Sequence, residues 1–144
     1  MLENHIVTIL LAEDNPGHAR LIEKNLRRAN INNEIVKFTD GKQVLDYLFD
    51  EADHLRLPLL VLLDLNLPVF SGYQVLKQMK SNPKTRNIPV VILTTTEEPH
   101  EVAHCYELGC NVYITKPVEY DEFCEAIRKL GLFLSIVKIP EREG

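Results

Sequence analysis

The sequence predicts an α/β protein, a doubly wound five-stranded parallel sheet of order 2-1-3-4-5 with five helices. Short apolar runs alternate along the chain with longer segments of helical periodicity, the pattern of a parallel sheet covered on both faces. The first, third and fourth runs are nearly continuous in Val, Ile and Leu, as strands buried on both sides require. Right-handed crossovers between five such strands favour the order 2-1-3-4-5, which puts a binding crevice beyond the C-terminal ends of strands one and three.

In chain order, the first strand is expected over residues 6–12 and the first helix over 16–29. Pro16 suits that helix's first turn, where a missing N–H costs little, and Leu21, Ile22, Asn25, Leu26 and Ala29 follow its 3.6-residue period. Residues 34–38 read as the second strand and 41–49 as the second helix; the acidic connection 50–58 is longer than such a link requires. Strand three covers 59–64, helix three 72–81, strand four 89–94, helix four 100–108 and strand five 111–115. A last helix begins at Tyr120 and runs to about Val137.

The 144 residues read as one domain (1–144, core about 6–138), long enough to bury a core without disulfides or a structural metal. A formal charge of -5 without a Lys/Arg cluster argues against nucleic-acid binding. No apolar run approaches the ~20 residues that span a bilayer, and residues 1–5 lack the features of a secretion signal, so no membrane association and a cytoplasmic location are expected. Cys105, Cys110 and Cys124 contain no C-x-x-C pair and read as inert thiols of a reducing compartment.

The C-terminal ends of the strands collect the chemistry. Glu13 and Asp14 follow strand one, Asp64 ends strand three, Thr94 closes strand four and Lys116 follows strand five. Close carboxylates repel by roughly 4 kcal/mol at about 4 Å and an effective dielectric near ~20, so either one acid keeps a proton or a hard cation binds. Oxygen ligands without Cys or His favour Mg²⁺, held by Asp14, Asp64, a backbone carbonyl and waters, with positions open to a phosphate. Lys116 and Thr94 supply an ammonium and a hydroxyl donor that suit a phosphoryl group. Any one of these residues could instead cap a helix or make a solvated ion pair; five at one rim point to a site.

Leu10-Leu11-Ala12-Glu13-Asp14-Asn15, Leu62-Leu63-Asp64-Leu65-Asn66-Leu67-Pro68 with Gly72, Leu93-Thr94 and Tyr113-Ile114-Thr115-Lys116-Pro117 resemble, in order and spacing, the motifs of response regulator receivers. Segments 64–68 and 111–118 and the apolar C-terminal extension are similar to single-domain regulators partnered with cyanobacterial phytochromes. The resemblance implies a flavodoxin-like (CheY-like) fold and a place in a two-component phosphorelay. A sensor histidine kinase, a phytochrome in the narrower match, would phosphorylate Asp64 with the help of Mg²⁺ or Mn²⁺. Position by position it implies Asp14 as a direct metal ligand, Glu13 as an acid acting mainly through water, and the Asn66 backbone carbonyl as a third ligand. Glu13 stands where many members have Asp, with its charge kept. Thr94 and Lys116 would contact phosphoryl oxygens, and Gly72 and Pro117 would be structural, the latter after a cis bond.

In the mechanism so implied, Asp64 attacks phosphorus in line, forms an aspartyl phosphate that water later hydrolyses, and the chain turns over no free metabolite. Tyr113 occupies the position of an aromatic switch that fills the space Thr94 leaves on moving toward the phosphoryl group; a static strand tyrosine is the alternative. With no output domain expected, signalling would pass to a target or a further phosphotransfer protein by contact.

The last segment carries Phe123, Ile127, Leu130, Phe133, Leu134 and Val137, with Leu132, Ile136 and Ile139, more than one buried helix face needs. A symmetric homodimer through this surface is expected, with folding back onto the domain as the alternative. His100-Glu101-Val102-Ala103-His104 matches the zinc-protease pattern H-E-x-x-H, but Glu107 stands where the longer form of that motif has Gly, and solvated histidines explain it better. His5, His18 and His54 are isolated and receive no role. Two other classes stay open: a hydrolase with Asp64 as nucleophile, which would want that residue on the first strand with an Asp two positions on, and a non-phosphorylated docking module.

Overall fold

The computed structural model of the chain describes residues 7–50 and 58–129, with side chains to Ala126. Five strands alternate with five helices: β1 (Thr8–Ala12), α1 (Pro16–Arg28), β2 (Ile35–Phe38), α2 (Gly41–Phe49), β3 (Leu59–Leu63), α3 (Gly72–Lys80), β4 (Val90–Thr94), α4 (Pro99–Leu108), β5 (Val112–Thr115) and α5 (Tyr120–Lys129). All pairings are parallel and the order is β2-β1-β3-β4-β5, the arrangement expected of a flavodoxin-like, CheY-like chain.

Every residue of β1, β3 and β4 is buried, because alternate side chains feed separate cores. Leu10, Val61, Leu63 and Ile92 pack with Val44, Leu48, Val75 and Leu76 beneath α2 and α3. Ile9, Leu11, Leu60, Leu62 and Leu93 pack with Ile22, Leu26 and Phe123 beneath α1 and α5. Each such side chain contributes roughly 1.5 to 3 kcal/mol when wholly buried, so the strands are fixed from both sides.

Local chemistry sets the helix starts. The side chains of Asn15, Asp40, Ser71 and Glu98 each accept a hydrogen bond from an N–H of the first turn of α1, α2, α3 and α4. Pro99 follows Glu98 as the first residue of α4, one position earlier than the periodicity places it. That helix ends at Gly109, whose φ of 108° is the left-handed conformation that an L side chain resists.

Two expectations about apolar faces are corrected. Leu21 is 41% exposed, lying at the edge of the α1 stripe rather than in the core. Phe123 is not a surface residue: it is 0% exposed, packed among β-strand side chains, because the inward face of α5 is needed to close the second core. The remaining expected dimer residues, Ile127, Leu130, Phe133, Leu134 and Val137, lie outside the described side chains, as do His5, His54 and most of the 50–58 connection.

Candidate functional site

The parallel sheet brings Glu13, Asp14, Asp64, Thr94 and Lys116 together at the C-terminal rim of β1, β3, β4 and β5. The Asp64 N–H donates to the Ala12 carbonyl at 3.0 Å, and the Lys116 N–H to the Thr94 carbonyl at 2.7 Å, so backbone bonds fix both residues beside their neighbouring strands. Gly72 holds the other side of Asp64: its N–H donates to the Leu65 carbonyl at 2.9 Å, and a Cβ there would meet the Asp64 carbonyl oxygen at 2.3 Å. The Lys116-Pro117 peptide is cis.

The Lys116 ammonium offsets the carboxylate repulsion. Nζ donates to Glu13 Oε1 at 2.5 Å and to Asp64 Oδ2 at 3.2 Å, with the Lys116, Glu13 and Asp64 side chains 7%, 1% and 6% exposed. Burial pushes the Glu13 carboxyl above its ordinary range, against the opposing pull of hydrogen bonds from Lys116 and the Asn15 N–H; the Asp64 charge pushes it the same way as burial. The Asn66 N–H donates to Asp64 Oδ1 at 3.1 Å and orients the phosphoacceptor candidate. Thr94 is wholly buried, and its hydroxyl has no hydrogen-bond partner. A donor of that kind is costly until an acceptor reaches it.

The donor set fits a hard divalent cation. One carboxylate oxygen each from Glu13, Asp14 and Asp64 lies within 4.8 Å of the others, with no Cys or His in the group, and Asp14 is open to solvent. The H-E-x-x-H segment forms no such group among the described residues. His104 instead stacks near the Tyr73 ring, 5.6 Å between centroids, and burial and a hydrogen bond to Glu101 hold the Tyr73 hydroxyl protonated well past its ordinary range.

The half-buried Tyr113 donates its hydroxyl proton to the Thr96 carbonyl at 2.8 Å, which ties β5 to the connection leaving β4. His18, given no role by the sequence, stands at the rim: its Nδ1 is 3.0 Å from Lys116 Nζ. The signal was the Asn15-Pro16 pair, which starts α1 and thereby puts the third residue of its first turn at the end of the sheet where the carboxylates gather.

Residues 9–128 match the profile of the response regulator receiver domain. The chain belongs to the response regulator receiver family. A receiver domain from Rhodospirillum rubrum is 56% identical, with 96% of this chain and 100% of that one covered, and superposes with a TM-score of 0.75. The phosphorylated cyanobacterial phytochrome response regulator RcpA is 35% identical over 89% of this chain and 93% of its own, with a TM-score of 0.74. Response regulator Rcp1 of Synechocystis is 35% identical over 135 residues, 92% of each chain. Its Mn²⁺-bound crystal form matches at 34% identity over 88% of this chain and 93% of that one, with a TM-score of 0.72. As a receiver, this chain has its acidic cluster where the fold's crevice opens, beyond the ends of β1 and β3. No described helix is long and apolar enough to cross a membrane.

Proposed function

We propose that this receiver, a single domain working in the cytoplasm, takes a phosphoryl group from a sensor histidine kinase on Asp64. The observation that carries the reading is the pairing of Asp64 with a buried Lys116 ammonium beside the unpartnered Thr94 hydroxyl. An Asp64 oxygen attacks phosphorus, the P–N bond of the phosphohistidine breaks, and the donor imidazole leaves with the electron pair. Lys116 and Thr94 donate to the phosphoryl oxygens. Asp14, Asp64 and the Asn66 carbonyl would hold Mg²⁺ or Mn²⁺, with Glu13 acting through water; the cation supplies charge neutralisation of the phosphoryl group. No free metabolite is turned over.

The likeness to RcpA supports a phytochrome as the kinase. Tyr113 acts as the switch residue, since a change at Thr94 reaches it through the Thr96 carbonyl that its hydroxyl already holds. The apolar sequence of residues 130–139 supports a homodimer, which sedimentation with and without a phosphate mimic checks, and output passes by contact to a target or phosphotransfer protein.

Incubation with acetyl phosphate and Mg²⁺ followed by intact-mass measurement tests the central claim. One added phosphoryl group is expected, absent in Asp64→Asn and lost on chelation of the metal. A protein that remains unmodified, or an Asp64→Asn variant that is modified equally, overturns it.

A further inference from the structure

We infer that His18 is a positioning residue for phosphoryl transfer, acting through Lys116; the inference rests on the proposal that Asp64 is the phosphoacceptor. An ammonium has three N–H donors and no acceptor. Here the three have three partners: Glu13 Oε1, Asp64 Oδ2 and His18 Nδ1. Since Lys116 only donates, Nδ1 is the bare nitrogen of the imidazole and the ring proton is on Nε2.

His18 is placed for this by its own backbone. Its N–H donates to Asn15 Oδ1 at 3.1 Å, while the Asn15 N–H donates to Glu13 Oε2 at 3.1 Å. One capping residue thus indexes two of the three partners of Lys116, Glu13 and His18, against each other. The imidazole, 45% exposed, covers a Lys116 side chain only 7% exposed. With Lys116 it also lines a cavity of about 230 Å³ whose other walls are Leu21, Ile22, Thr95, Pro117 and Val118, apolar but for Thr95.

When Asp64 is phosphorylated, the donor now aimed at Asp64 Oδ2 has a phosphoryl oxygen to turn to. The bonds to Glu13 and His18 can persist, so the ammonium is held on two sides while the third serves the incoming group. Without His18 the side chain has one anchor fewer, and its third donor must seek water.

The test is a mutant cycle on the rate of phosphorylation by acetyl phosphate at saturating Mg²⁺, with urea unfolding of each variant as a check on folding. His18→Leu is expected to slow the reaction about threefold to tenfold, the loss appropriate to one ordinary hydrogen bond at a half-exposed side chain. His18→Asn, whose Oδ1 can stand near the Nδ1 position, should stay within about twofold of the parent. In a Lys116→Ala background, followed over hours, His18→Leu should add no further slowing. A parental rate for His18→Leu, equal slowing with and without Lys116, or an Asn variant as slow as the Leu variant overturns the inference. Failure of the parent protein to be phosphorylated at all would instead remove the reading of Asp64.

Discussion

At the scale of single residues, Val69 is, among the described residues, the one whose backbone runs against its chemistry. It has a φ of 70° and is 66% exposed, so a β-branched side chain occupies the left-handed region with little packing in return. That conformation costs an L residue about 1 to 2 kcal/mol, less for Asn, which already occupies it at Asn30. Val69→Asn is therefore expected to raise the unfolding free energy by about 1 kcal/mol, seen as a higher urea midpoint with an unchanged slope. Glu13, Asp14, Asp64, Thr94 and Lys116 were legible as a set because each ends a strand or directly follows one, and the C-terminal ends of parallel strands share one rim. His18 was not, since its role depends on how many donors an ammonium has left once two carboxylates are satisfied, which requires coordinates.

Among the elements, α3 is the one packed tightly against the site. Ser71 and Gln74 form a reciprocal capping box, which delivers Gly72 directly against the backbone that follows β3. Gly72→Ala would set a methyl 2.3 Å from the Asp64 carbonyl oxygen and 2.6 Å from Leu65 Cα. The expected result is a loss of about 1 to 3 kcal/mol in urea unfolding together with slower phosphorylation by acetyl phosphate, because relief of the clash moves the acceptor strand's end. Gly41, which the sequence did not single out, is under the same constraint from Phe70, whose carbonyl oxygen lies 1.9 Å from where a Cβ would be. Strand and helix order was readable from periodicity, but which side of a helix meets the sheet was not always so. Phe123 and Leu21 both belong to apolar patterns, and only the packing decides that the first is enclosed while the second borders solvent.

For the molecule as a whole, the layer beneath α2 to α4 contains thiols that resist ionisation. Burial pushes Cys105 up to about 11 and Cys110 up to about 12, from an ordinary value of 9.0. Unfolded thiols lose their protons first, so between pH 9 and about 12 the folded state binds more protons and stability falls as pH rises. The urea midpoint is expected to decline across that window, and the decline should be shallower in the Cys105→Ala, Cys110→Ala double variant. The sheet itself has a different consequence. With Leu59, Val61 and Leu63 committed to one core and Leu60 and Leu62 to the other, β3 has no direction in which to yield. A displacement at its tip would therefore be taken up sideways, along the perimeter where the Tyr113 hydroxyl holds the Thr96 carbonyl, while the interior stays still.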